Sequence, residues 1–164
     1  MRMKMSAEGK KVTKYFESLK LKAYPDPATG GKPWTIGYGH TGPDVYSGLV
    51  INEAMADKLL DLDLAKAEAE VNKYAHNLTQ GQFDALVDMV FNMGSGFLKP
   101  DNINGDFDDF VASGNLVEMR KRIPQFRMAA GKVMKGLVRR RAANVALWDG
   151  KSGDEAIKLG VAAA

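Results

Sequence analysis

A chain of 164 residues with a formal net charge of +3 has room for one domain, or for two lobes that share a helix. The absence of cysteine excludes disulfides, thiol nucleophiles and thiolate metal sites, and two histidines, His40 and His76, are too few and too separated for a zinc cluster. The charge is uneven: residues 119–148 carry nine Lys/Arg and no acid, whereas residues 23–118 carry five Lys/Arg against fifteen Asp/Glu.

In chain order, Ser6 to Leu19 reads as a short amphipathic helix, with Val12, Tyr15, Phe16 and Leu19 at intervals of three and four and Glu17 near its C-terminal end. The run Tyr24-Pro25-Asp26-Pro27 stops helix, because each proline pushes the preceding residue toward extended geometry. Gly30 to Pro33 reads as a turn, and Trp34 to Gly39 has the aromatic and β-branched content of a strand. A small antiparallel sheet over about 23–50 follows from this pattern. Asn52 is a candidate N-cap for a helix reaching Ala75, roughly 34 Å at ~1.5 Å per residue. Thr79 and Gln82 have capping-box spacing and open a helix with Phe83, Leu86, Val87, Val90 and Phe91 on one face, ending at Gly94. Further helices are expected at about 106–113, 115–122 and 135–148, with 151–164 as a C-terminal tail and a frayed end. The class is α+β, mostly α, with one small sheet.

The N-terminus lacks an apolar core of signal-peptide type, and no apolar run approaches the ~20 residues of a membrane span. The expectation is a chain made soluble in the cytoplasm, with any external substrate reached through a separate release factor.

Glu17, Asp26 and Thr35 stand nine residues apart, where a helix end, a loop and a hairpin could gather them. Two carboxylates flanking one bond can supply the acid and the base that glycosidic cleavage requires. A glutamate among apolar neighbours at a helix end can be held protonated by desolvation and donate a proton. An aspartate fixed in a proline-bounded turn can activate water, and a nearby hydroxyl can hold that water. Each residue also has an ordinary reading, as a solvated glutamate, a turn aspartate and a strand threonine.

The run Phe16-Glu17-Ser18-Leu19-Lys20-Leu21-Lys22-Ala23-Tyr24-Pro25-Asp26, followed by Trp34-Thr35-Ile36-Gly37-Tyr38-Gly39-His40-Thr41, resembles the phage-type lysozymes, glycoside hydrolase family 24. Met89 to Gly94 resembles the family's helix beside the substrate cleft. Gly136 to Arg141, with Trp148, resembles its C-terminal helix. The resemblance covers about residues 8–150. It implies a lysozyme-like fold, with a small β-containing lobe at about 16–60 and a helical lobe at about 1–15 and 61–150, joined by the long helix. It implies Glu17 as general acid, Asp26 as partner carboxylate and Thr35 as water positioner, in a cleft between the lobes. Thr41, Phe91 and Asn92 are expected to contact substrate, and His40 to be structural, paired with a carboxylate such as Asp63. One departure is length: eight residues separate Asp26 from Thr35, where many members have five.

The expected activity is hydrolysis of the β-1,4 bond between N-acetylmuramic acid and N-acetylglucosamine in peptidoglycan, with inversion and no cofactor or metal. A lytic transglycosylase, or a non-catalytic basic protein that binds wall or membrane, is the alternative. Arg120, Lys121, Arg122, Arg139, Arg140 and Arg141 are candidates for contact with an anionic outer-membrane surface, and one of Arg139, Arg140 or Arg141 is a candidate partner for Glu17. No nucleic-acid motif is present, and a monomer is expected. Asp101 to Asp106 lacks an EF-hand's ligand positions, since Pro100 and Val111 would occupy the first and twelfth places. It reads as an Asx-capped turn.

Overall fold

The computed structural model describes residues 2–164, which form two compact units. Lys14–Ala65 makes one; Met1–Thr13 and Lys66–Ala164 together make the other. Helix α1, Ala7–Glu17, begins in the discontinuous unit and ends in the continuous one. It stops where Ser18 takes a left-handed φ of 64°, a conformation that terminates helices and is costly for residues with a Cβ.

In the continuous unit, β1 (Lys20–Tyr24), β2 (Thr35–Gly37) and β3 (His40–Thr41) form an antiparallel sheet with β2 in the centre. Tyr24 lies opposite Thr35 on one side of β2, and Thr41 lies opposite Thr35 on the other. An isolated bridge from Lys22 to Val50 completes the expected 23–50 region. Ile36, Ile51, Ala56 and Leu60 are buried beneath the sheet and along the start of the long helix α2, Glu53–Tyr74. As its residue type suggested, Asn52 caps that helix, its side-chain oxygen accepting from the Met55 amide at 2.8 Å.

The discontinuous unit is built around α3, Gln80–Met93. Its capping box is present in full: Thr79 accepts from the Gln82 amide and Gln82 accepts from the Thr79 amide. Residues Phe83 through Val90 are all buried, so this helix is enclosed on every side and includes two aspartates, Asp84 and Asp88. Helices α4 (Phe107–Ser113), α5 (Leu116–Arg122) and α6 (Lys135–Trp148) follow close to their expected bounds. Phe107 meets Phe97 and Phe126 edge to face, and Phe97 and Phe126 are tilted against each other, with ring centroids 5.3 to 5.6 Å apart.

Two regions depart from the sequence reading. Met128–Ala129 (β4) and Lys132–Val133 (β5) form a two-residue hairpin turning at Ala130 and Gly131, both with positive φ. The stretch read as a tail holds α7, Gly153–Ala162, capped by Ser152, whose hydroxyl accepts from the Glu155 amide. Helix α7 packs on α6 at Gly160, where a Cβ would stand 2.7 Å from the Arg139 carbonyl oxygen and 3.0 Å from the Ala143 Cβ. No helix among the described residues is long and apolar enough to cross a membrane.

Asp88, fully buried, ties α3 to α1 and α6. It accepts from the Thr13 hydroxyl at 2.7 Å, the Arg140 guanidinium at 2.8 and 3.0 Å, and the Asn144 amide at 2.8 Å. Burial alone would raise its pKa, but Arg140 and these hydrogen bonds outweigh burial and hold it at about 2. Asp88→Ala is expected to cost about 3–5 kcal/mol, the range for breaking a buried pair, read as a lower midpoint in urea unfolding. The folded pKa is depressed, so this group's contribution is present above the unfolded value of about 3.9 and is lost as pH falls toward 2. The wild-type protein should therefore lose stability across that window, and the Asp88→Ala protein should lose less of it.

Candidate functional site

The continuous unit carries Glu17, Asp26, Thr35 and Thr41. Glu17 is the last residue of α1 and is half-buried. Its Oε1 lies 2.8 Å from the point where a Cβ on residue 39 would stand. Gly39 has φ +85°. Two constraints therefore act on one residue, since a side chain at 39 would be strained by the backbone and would press on the Glu17 carboxylate. The Gly37-Tyr38-Gly39 spacing marks a glycine pair in the sequence, but contact with a carboxylate 22 positions earlier has no local signature.

Asp26 follows β1 by two residues, beyond the Tyr24 that faces Thr35. Its backbone is fixed by a tight turn: its amide donates to Gly31, and its carbonyl accepts from Thr29 and Gly30. Its Oδ1 accepts from the Ala28 amide at 2.8 Å, an Asx-turn that fixes the carboxylate as well. The longer Asp26–Thr35 connection thus closes on itself, with Thr29 donating to the Lys32 carbonyl at 2.7 Å. Thr35, in the central strand, is half-buried, and its hydroxyl makes no hydrogen bond among the described residues. The arrangement offers a carboxylate at a helix end, a second in a rigid turn, and a strand hydroxyl open to a water molecule.

His40 is paired as the family resemblance implied. Nδ1 lies 2.7 Å from Asp63 on α2, and Nε2 lies 3.0 Å from Asp44, a second partner not foreseen. With both ring nitrogens engaged by carboxylates, His40 is a structural tie between β3 and α2. Burial works to lower its pKa, but the hydrogen bonds that its ring donates to Asp63 and Asp44 prevail and raise it. Beside it, Lys14 pairs with Asp57 at 2.6 Å and stands 5.5 Å from the centre of the Tyr38 ring.

The discontinuous unit carries Phe91 and Asn92, both half-buried on the last turn of α3. Asn92 is held through its side-chain oxygen, which accepts from Arg141 at 2.5 Å. The basic stretch is corrected in part. Arg140 and Arg141 are only 4% and 1% exposed, so neither can meet an anionic surface. Arg140 belongs to the Asp88 cluster, and burial lowers the Arg141 pKa to about 10. Arg120, Lys121 and Arg122 lie nearer the surface, but each is paired: Arg120 with Asp149 at 2.6 Å, Lys121 and Arg122 with Glu118. Arg139 donates to the Ala164 carbonyl at 3.4 Å.

Asp101, Asp106 and Asp108 bring ligand oxygens within 4.8 Å of one another, and these are the residues that could hold a cation. The loop is the Asx-type turn expected, the Asp101 carboxylate accepting from the Ile103 amide. Its neighbour Asp108 raises the Asp106 pKa by sharing a proton with it.

The folded pKa of His40 is raised, so its stabilisation is fully present below the unfolded value of about 6.5 and is lost as pH rises through the higher folded value. Thermal unfolding at stepped pH should show stability declining above about 6.5, and His40→Asn should flatten that decline.

The phage lysozyme family profile matches residues 14–144. An endolysin of Bacillus phage B103 is 39% identical over 140 residues, covering 85% of this chain and 51% of that protein. An endolysin of Acyrthosiphon pisum secondary endosymbiont phage 1 is 36% identical over 158 residues, covering 90% of this chain and 99% of that protein. The chain thus spans about half the length of the Bacillus phage relatives it matches. Among solved structures, the muramidase domain of SpmX from Asticaccaulis excentricus superposes with a TM-score of 0.77 at 34% identity, covering 90% of this chain and 98% of that one. An endolysin from Escherichia coli O157:H7 phage FAHEc1 superposes with a TM-score of 0.76 at 31% identity, covering 90% and 94%.

Proposed function

Because this chain belongs to the phage lysozyme family, with its lysozyme-like, mostly helical α+β fold, we propose that it is an endolysin that hydrolyses peptidoglycan. The bond cleaved is the β-1,4 link between N-acetylmuramic acid and N-acetylglucosamine. The observation that carries this reading is the Glu17 carboxylate, set at the end of α1 against a glycine that leaves it room.

Glu17 protonates the leaving oxygen. Asp26, held by its turn, draws a proton from water on the opposite face of the ring, and the Thr35 hydroxyl positions that water. This assignment is inversion by single displacement, which requires the two carboxyl groups to stand ~6.5–9.5 Å apart. Thr41, Phe91 and Asn92 are assigned to substrate, with Asn92 steadied by Arg141. The protein works as a monomer and reaches the cell wall after a separate factor has released it. Any attraction to an anionic outer surface falls to Arg120, Lys121, Arg122 and Arg139, each already partnered within the fold.

Glu17→Gln should lower clearing of a cell-wall suspension by about 10²–10⁴-fold with circular dichroism unchanged. Activity near the wild-type level would sink the catalytic reading and favour a protein that disrupts walls without catalysis. Newly formed reducing ends should appear first as the α-anomer by proton NMR. Products ending in anhydro-muramic acid would instead identify a lytic transglycosylase.

Gly39→Ala places a methyl group against the Glu17 carboxylate at a backbone angle suited to glycine. Its expected effect is a fall in kcat of about tenfold or more, since displacing a catalytic group by ~1 Å can cost up to 10²-fold. Unfolding should shift by only about 1–2 kcal/mol, the cost of a left-handed residue with a Cβ.

A further inference from the structure

Four aspartates fall within nine residues at the start of α4: Asp101, Asp106, Asp108 and Asp109. Asp109 is engaged by the chain, accepting from the Gly105 amide at 2.5 Å. Asp101 gives Oδ1 to the Ile103 amide and has a second oxygen to offer. Asp101, Asp106 and Asp108 each bring one carboxylate oxygen within 4.8 Å of the other two. Among the described residues, no lysine, arginine or histidine pairs with any of these three.

Exposed acids often crowd together without consequence. This cluster differs because part of it is buried and has no donors. Asp108 is only 5% exposed, yet among the described residues no amide, hydroxyl or cationic side chain outside the cluster donates to its carboxylate. Asp106 Oδ1 is also shut off from water and has no hydrogen-bond partner. A carboxylate held out of water is unfavourable unless its charge is answered. Asp88, in the same unit, shows the answered case, with Thr13, Arg140 and Asn144 donating to it. The groups brought to Asp108 are instead two more carboxylates. The proton that Asp106 shares with Asp108 neutralises one charge of the three and leaves two.

Three carboxylate oxygens without histidine or cysteine are a hard donor set, suited to calcium or magnesium rather than zinc. Ligands facing each other across calcium stand about 4.6–5.2 Å apart, against about 4.0–4.2 Å across magnesium. An oxygen triangle spanning up to 4.8 Å suits the larger ion. Residues 101–105 are exposed, so water can complete the shell. Calcium tolerates such irregular geometry, whereas magnesium demands a near-ideal octahedron.

We propose that Asp101, Asp106 and Asp108 form a calcium site that fastens the 101–106 loop to the first turn of α4. The donors are side-chain carboxylates, and the short helix contributes only their placement. The frame is not that of an EF-hand, because the buried donor comes from the helix and no acid stands at Val111. With three protein ligands on an open loop, the affinity falls among the weak calcium modules, about 10⁻⁴–10⁻³ M. The site requires nothing of Glu17 or Asp26 and stands whether or not the chain is a hydrolase.

The test titrates calcium chloride into the chelator-treated full chain and follows backbone amides by nitrogen–proton correlation NMR. The Ile103, Gly105 and Asp108 amides should shift and saturate, with a midpoint at about 10⁻⁴–10⁻³ M calcium. Saturating calcium should also raise Tm, because the ion binds the folded chain alone. Asp101→Asn keeps an acceptor for the Ile103 amide on an exposed side chain, so it should fold as the wild type does and need about tenfold more calcium. Asp108→Asn should also lose affinity, and without calcium its Tm should match or exceed the wild type's, since a repelling charge is gone. A lower Tm for Asp108→Asn with no calcium response in the wild type would make the residue structural and overturn the proposal. Asp154→Asn, an exposed acid on α7, should bind calcium as the wild type does. Shifts that climb without saturating would mean an adventitious ion only and overturn the site, as would unchanged affinity in Asp101→Asn. Saturation by magnesium chloride at the same midpoint would overturn the assignment to calcium.

Discussion

Asp88 is the constraint around which the discontinuous unit closes. A carboxylate with no access to water must have its charge answered by donors, and here these come from two other helices: Thr13 from α1, Arg140 and Asn144 from α6. Such a cluster tolerates few arrangements, because moving any one helix strands a buried polar group. Apolar packing around α3 supplies bulk stabilisation, while the polar cluster sets the register at which the helices meet. A second buried carboxylate, Asp84, repeats the device by accepting from both the Ser6 amide and the Ser6 hydroxyl at the approach to α1.

Helix α1 carries both a donor of this cluster and the proposed acid. Thr13, fixed to Asp88, and Glu17, the proposed acid, are four residues apart, which is about one helical turn. The helix ends immediately after Glu17 at a residue forced into a left-handed conformation. Strain of this kind persists where surrounding structure over-determines it, and it is commonly found beside functional groups. The sheet contributes the complementary half: Gly39 leaves space for the Glu17 carboxylate, and the Asp26 turn holds the second carboxylate independently of how long the connection to Thr35 has become.

What could be read before folding follows the range of each interaction. The caps of α2 and α3 and the bounds of α4 to α6 depend on residues within one turn, and Asn52, Thr79 and Gln82 signal them openly. His40 with Asp63 was legible only through family resemblance. Arg140 and Arg141 misled, because charged side chains are ordinarily solvated. Their burial depends on α3 residues about fifty positions away. Helix α7 was missed although Ser152 and Glu155 have the spacing of a cap, since small residues at its end resemble a frayed tail. The β4–β5 hairpin has strands too short for any alternation to register. For the site, residue types and order were visible, whereas the closeness of Gly39 to Glu17 arises only from the sheet.

The contact between α1 and α7 bears on how the molecule assembles. The Gly153 amide donates to Glu8 at 2.8 Å across 145 positions, and Lys11 lies 3.6 Å from Asp154. The discontinuous unit therefore joins the two ends of its sequence around an inserted segment that is itself contiguous. Contacts of such long sequence separation require loop closure before they repay it and slow folding accordingly. During synthesis the segment 14–65 has all its own residues long before its neighbour does. The bond from Gly153 to Glu8 forms only once residues beyond 150 have left the ribosome.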